Sequence, residues 1–155
     1  MYFVKTSSVP GSAGAGAAAG FGGTGPVTIG KAYLGQRTRG ATLAPGSNRQ
    51  LFFNRSASVR IPTGGSVVSD PVAMNVLGGQ DLAVSLHIPE ANVRPSQHSS
   101  ALVTSYVSPD GAGDAAADEA GARLTGTTTS MFWVKAIDVQ SPSAAGTIVA
   151  FGDSI

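Results

Sequence analysis

The sequence predicts an all-β protein, an antiparallel β-sandwich of the jelly-roll kind, and three features carry that expectation. Twenty-one glycines and nine prolines punctuate the chain with turns. Only 12% of its residues are charged, too few to line the exposed faces of amphipathic helices. Short apolar runs recur between turn signals at intervals of roughly ten residues, several with the period of two that puts alternate side chains on opposite faces of a strand. At 155 residues the chain suffices for one such domain, which buries roughly two thirds of its unfolded surface.

Tyr2–Thr6 reads as a first strand. Residues 7–25 are mostly Gly, Ala and Ser; with little to bury they read as a flexible loop. Gly20, Gly22 and Gly25 match G-x-G-x-x-G, but a dinucleotide site needs a strand before the glycines and a helix after them. Pro26 and a β-like run come next here, so the loop reading stands. Val27, Ile29 and Tyr33 alternate with Thr28, Gly30 and Ala32 as in one half-buried strand. Beyond a turn at 44–48, residues 51–53 and 59–61 read as short strands, 62–65 as the next turn, and 67–68 and 72–74 as apolar pieces around Asp70 and Pro71.

The clearest alternation sets Leu82, Val84, Leu86 and Ile88 against Ala83, Ser85 and His87, predicting a core face and a wetter face. Pro89 and Pro95 break regularity, residues 102–108 form a further strand, 109–114 turn it, and 115–121 read as a surface loop. Residues 131–139 are the heaviest apolar strand and contain Trp133, the only tryptophan. Residues 1–140 are thus expected to be the β-sandwich domain, with 141–146 as a linker of small residues around Pro142.

Charge and composition exclude several classes. A net charge of +1 with scattered lysines and arginines is no footprint for nucleic acid. No apolar run approaches the eighteen or so residues of a membrane span, and residues 1–5 lack the basic start and apolar centre of a signal peptide. Without cysteine there is no disulfide framework or thiolate metal site, and the compartment stays open.

Residues 147–155 read differently. Ile148, Val149, Ala150 and Phe151 make an apolar run before Gly152, Asp153 and Ser154, as in a short strand buried on both faces of a parallel sheet. Ligands bind beyond the carboxyl ends of such strands, which puts Ser154 where a nucleophile is useful, and Gly152 allows a sharp turn there. The run Ile148-Val149-Ala150-Phe151-Gly152-Asp153-Ser154-Ile155 resembles the first motif block of the GDSL/SGNH hydrolases, serine esterases on a flavodoxin-like α/β fold. The spacing of strands and turns from about Gly22 onward resembles the β-sandwich that precedes the hydrolase domain in one bacterial branch of that family.

The resemblance implies that Ser154 is the nucleophile and a backbone oxyanion donor, with Gly152 and Asp153 as motif residues outside the triad. It also implies a carboxylic ester as substrate, with acyl groups on carbohydrate as one candidate, no cofactor or metal, and an extracytoplasmic location. The family's remaining oxyanion groups and its Asp–His pair lie downstream of the nucleophile. The chain is therefore expected to be the front portion of such an enzyme, to need the remainder of the hydrolase domain in cis, and to be inactive alone.

Other residues invite roles. His87 and His98 are the only histidines; neither matches the family's base, and His87 is expected to face solvent or a polar contact. Asp110, Asp114, Asp118 and Glu119 lack the ligand spacing of a calcium loop and read as a solvated acidic loop. Asn54, Arg55 and Ser56 form an N-glycosylation sequon. Phe52, Phe53, Tyr106, Phe132 and Trp133 raise a second class, a non-catalytic carbohydrate-binding or structural sandwich module, although core filling is the plainer role for Phe132 and Trp133.

Overall fold

The computed structural model describes residues 2–6 and 14–140. In chain order the strands are β1 (Tyr2–Thr6), β2 (Gly14–Gly22), β3 (Val27–Ile29), β4 (Lys31–Arg39), β5 (Thr42–Leu43), β6 (Arg49–Leu51), β7 (Val59–Ile61) and β8 (Ser66–Val68). Then come β9 (Val72–Val76), β10 (Leu82–His87), β11 (Gln97–His98), β12 (Ser105–Val107), β13 (Gly126–Thr128), β14 (Met131–Phe132) and β15 (Val134–Gln140). Every strand pairing is antiparallel, and the described residues contain no helix. The protein is all-β, as its turn-rich, charge-poor composition predicts.

A seven-stranded sheet runs β13-β12-β1-β10-β4-β5, with β6 also paired to β4. In the smaller, four-stranded sheet β2 is flanked by β15 on one edge and by β8 and β9 on the other. Two-stranded ribbons, β3–β7 and β11–β14, complete the set. One apolar cluster draws Leu34, Leu82, Val84 and Leu86 from the larger sheet and Ala17, Ala19, Phe21 and Val76 from the smaller. Phe21 meets Phe53 edge-on, with ring centroids 5.7 Å apart, an arrangement that aromatic quadrupoles favour.

Several expectations need correction. The largest concerns residues 7–25, expected to be a flexible loop. Residues 7–13 lie outside the described residues, but Gly14–Gly22 is a strand at the centre of the smaller sheet. Its inward residues Ala17, Ala19 and Phe21 are fully buried, while Gly16, Ala18 and Gly20 take the other face. The ladder is reinforced at Ser69, whose Oγ accepts from the Ala19 N–H at 3.1 Å and whose own N–H donates to the Ala19 carbonyl at 2.9 Å. Gly20 and Gly22 of the G-x-G-x-x-G match therefore sit in a strand, and the next element along the chain is β3, not a helix.

The expected single strand over 27–33 is two. At Gly30 the chain leaves the β3–β7 ribbon and enters the seven-stranded sheet, where the Gly30 N–H donates to the His87 carbonyl at 2.9 Å. A Cβ at Gly30 would stand 3.2 Å from Pro89 Cδ and 3.3 Å from that carbonyl oxygen, a close fit that the missing side chain eases.

On β10, Leu82, Val84 and Leu86 are buried together as predicted and Ile88 packs half-buried against them. The opposite face is not the wetter one expected: Ala83 and Ser85 are buried as well. Leu43 and Leu124 pack on Ala83 in a second cluster joined by Ala41 and Tyr106. The segment expected to be a free surface loop, 115–121, buries Ala115 and Ala116. It is tied down by the Leu43 N–H on the Glu119 carbonyl at 2.8 Å and by Asn48 Nδ2 on the Ala116 carbonyl at 3.2 Å.

The strand expected over 131–139 breaks at Trp133, between β14 and β15. Phe132 and Trp133 join the same apolar cluster although adjacent, whereas an unbroken strand sends neighbours to opposite faces; Trp133 resolves the conflict by taking φ 58°. The strand expected over 102–108 shrinks to Ser105–Val107, and Leu102 stands 97% exposed. No helix among the described residues is long and apolar enough to cross a membrane. The expected linker, 141–146, and the motif segment, 147–155, lie outside the described residues.

Candidate functional site

Gly152, Asp153 and Ser154, the residues singled out for chemistry, fall outside the described residues. The histidines can be placed. His87 ends β10, opposite Lys31 of β4, and is half-buried. His98 is exposed on β11, opposite Met131. The two belong to different sheets.

The acidic residues of 110–119 are held in separate places. Asp114 Oδ2 meets Lys31 Nζ at 2.8 Å, and its Oδ1 accepts from the Ala116 N–H at 2.9 Å. Burial pushes the Asp114 carboxyl upward, yet the Lys31 hydrogen bond, the Ala116 N–H and the charge of His87 together hold it below the ordinary value. The same contact raises Lys31. Asp118 Oδ1 accepts from the Ala120 N–H at 3.0 Å, closing an Asx turn.

Glu119 reaches across to the 44–48 turn, accepting from the Asn48 N–H at 3.0 Å and the Gly46 N–H at 2.8 Å. Those two donors hold its carboxyl below the ordinary range. Instead of a solvated acidic loop, two of the four carboxylates, Asp114 and Glu119, are tethers that hold the 114–120 segment on the larger sheet. Among the described residues, no group of three or more His, Asp or Glu could hold a metal.

Among the described residues, two clefts stand out. One, of about 500 Å³, lies between segments 88–93 and 108–113 and is walled by His87, Glu90, Ser108 and Asp110. Its Glu90 is committed: Thr28 Oγ1 donates to it at 2.6 Å, the Thr28 N–H at 3.0 Å and Arg60 Nη1 at 3.1 Å. Its carboxyl is held low by the Thr28 hydroxyl first, then by the Thr28 N–H.

The other cleft, of about 320 Å³, lies where segments 22–24, 64–65, 96–97 and 131–135 meet. The backbone there is closely tied: Gly22 N–H to the Trp133 carbonyl at 2.8 Å, Trp133 N–H to the Ser96 carbonyl at 3.0 Å, and Ser96 Oγ to the Gly22 carbonyl at 2.7 Å. Trp133, Met131, Thr24, Gln97 and Lys135 line it.

The aromatic residues do not form a stacking platform. Phe53, Phe132 and Trp133 are buried, Trp133 to 2% exposure, and Tyr106 packs half-buried against Leu124 and its neighbours. Phe52 alone of the five is exposed.

The sequon is readily accessible. Asn54 and Arg55, at φ 50° and 66°, are the central pair of a two-residue hairpin closed by mutual backbone hydrogen bonds of Phe53 and Ser56, the primed turn that strand twist favours. The Asp70 carboxylate anchors it, accepting from the Asn54 N–H at 3.0 Å and the Arg55 N–H at 2.7 Å.

Sequence reasoning missed the Glu119 tether and the Lys135 cleft. The first leaves no local signal, because the partners lie some seventy residues apart. The second leaves none either, because the bulge at Lys135 and the left-handed Trp133 arise from tertiary fit. No model of a known protein family matches the chain, and no curated protein matches it.

Proposed function

We propose that this chain is the N-terminal portion of a GDSL/SGNH-type serine hydrolase acting on carboxylic esters, with acyl groups on carbohydrate as the substrate class. Residues 1–140 serve in this reading as a jelly-roll-like sandwich beside the catalytic domain, and residues 148–151 as the first strand of a flavodoxin-like sheet. The observation that carries it is the run of four apolar residues leading into Gly152, Asp153 and Ser154. Support from the fold is limited to its class: an all-β antiparallel body is what the accessory segment calls for.

In this reading Ser154 attacks the ester carbonyl while its own N–H binds the developing oxyanion. A serine hydroxyl needs a base to take its proton. His87 and His98 stand on different sheets and precede the motif in sequence, so the base and the further oxyanion donors are assigned to the rest of the hydrolase domain in cis.

The test is hydrolysis of an activated aryl acetate by the full-length protein and by the 155-residue chain, each with a Ser154→Ala control. In the full-length protein the substitution should lower turnover by about a millionfold, since triad members act as a unit. The 155-residue chain should show no rate above its control. A full-length Ser154→Ala protein at wild-type rate overturns the reading; Ser154-dependent turnover by the shorter chain would make His87 or His98 a base and overturn the need for the domain in cis.

A further inference from the structure

The chain joins aspartate to a following glycine at one place, Asp110 and Gly111, and nowhere joins asparagine to glycine. The pair forms the centre of a turn from Pro109 to Ala112, closed by the Ala112 N–H on the Pro109 carbonyl at 3.2 Å. Gly111 has φ 76° and Asp110 keeps a negative φ, the combination of a type II turn, whose third residue is left-handed. Both residues are exposed, and nothing stands within 4 Å of where a Gly111 side chain would begin.

Asp110 differs from the other aspartates in being unheld. Asp70 accepts from the Asn54 and Arg55 N–H groups, Asp81 pairs with Arg37, Asp114 with Lys31, and Asp118 accepts from the Ala120 N–H. Asp138 lies in the ladder of β15 with β2, ahead of the branched Val139. The Asp110 carboxylate takes no hydrogen bond or ion pair from any described residue, and the Gly111 N–H donates to none. Rotation about Asp110 that brings its carboxyl carbon to the Gly111 nitrogen therefore disturbs little beyond the one hydrogen bond of the turn.

We propose that Asp110 and Gly111 are a site of spontaneous succinimide formation and conversion to isoaspartate. The Gly111 nitrogen attacks the side-chain carboxyl carbon of Asp110; a C–N bond forms, and the carboxyl hydroxyl leaves with the amide proton as water. Glycine suits the step because it has no Cβ to obstruct the approach. Water then opens the ring. Addition at the former main-chain carbonyl breaks that carbon's bond to nitrogen and leaves the chain running through the side-chain carbon, with no net change in composition and no oxidant or reductant. The product inserts a methylene into the main chain on the wall of the cleft of about 500 Å³, beside His87 and Glu90.

The 155-residue chain, incubated folded at neutral pH and body temperature, can be digested and mapped by electron-transfer fragmentation, which separates isoaspartate from aspartate. Isoaspartate should accumulate at Asp110 and not at Asp70, Asp81, Asp114 or Asp118, at a rate within about tenfold of that in the free peptide Ser-Pro-Asp-Gly-Ala, since exposed turns open at little cost. In heavy-oxygen water the product should take up the label. Asp110→Glu, which would need a larger ring, should abolish the signal at this position, and Asp110→Asn should reach isoaspartate sooner, with ammonia leaving in place of water. An unchanged far-ultraviolet circular dichroism spectrum through the incubation shows that the folded chain is the reactant. Intact Asp110 after the free peptide has converted, isoaspartate spread evenly over the other aspartates, or undiminished signal in Asp110→Glu overturns the proposal.

Discussion

β2 and β10 hold equivalent places, each with strands on both edges, yet they are built from opposite materials. β10 reads Leu-Ala-Val-Ser-Leu-His and brings three large aliphatic side chains to the core. β2 reads Gly-Ala-Gly-Ala-Ala-Ala-Gly-Phe-Gly, and Phe21 is its one large side chain. Strand propensity measures how a residue fits a pleated, half-buried surface among neighbours. β2 has little intrinsic preference, so its place comes from ladder hydrogen bonds to β15, β8 and β9 and from neighbours that fill the core around small side chains. The faces differ too. β10 is covered on both by large side chains, whereas β2 buries Ala17, Ala19 and Phe21 on one face and, on the other, buries Gly16, Gly20 and Gly22 around a half-buried Ala18.

The largest expected effects test whether the two strands are equally structural. Phe21→Ala should destabilise by about 3–5 kcal/mol and Leu86→Ala by about 2–5 kcal/mol in urea unfolding, the range for large-to-small changes at fully buried sites. A Phe21→Ala cost below about 1 kcal/mol, within the range of surface changes, would return β2 to the status of a dispensable loop.

The sequence made β10 legible and hid β2 for the same reason. Alternation of Leu82, Val84 and Leu86 announces a strand because each residue carries its own burial preference. Ala17 and Ala19 announce nothing, since small residues are as compatible with a linker as with a crowded ladder. The inward residues of β10 are legible in its own alternation, but the covering of Ala83 is not, because it depends on Leu43 and Leu124, both distant in sequence. At the candidate sites, the glycine-to-serine motif was legible as a resemblance. The Lys135 cleft was not, because a bulge and a left-handed tryptophan are products of tertiary fit.

A smaller effect sharpens the difference between faces. Ala83→Asp should cost about 2 kcal/mol or more, because it buries a carboxylate without a partner. Ala18→Asp, at the one half-buried position among buried glycines on that face of β2, should cost less, about 1 kcal/mol. Equal costs would mean that the Gly/Ala face of β2 is as closely covered as that of β10.

The smallest effect concerns the tether between Glu119 and the 44–48 turn. The Glu119 carboxyl is held low by the Asn48 and Gly46 N–H groups. Its contribution is therefore complete above the unfolded-state value and is lost as pH falls through the lower folded-state value. Glu119→Gln should remove about 1 kcal/mol or less near neutral pH, because the group is largely in water. It should also flatten the acid limb of the stability profile; an acid limb unchanged by Glu119→Gln would show that the tether adds nothing.

Amide hydrogen exchange tests the equivalence of β2 and β10 most directly. Amides of residues 17–21 that donate within the ladder should be protected to within about tenfold of those in residues 82–86, because both strands are paired on both edges and open with the same core. Exchange of residues 17–21 at the rate of an open chain, with residues 82–86 still protected, would contradict the account.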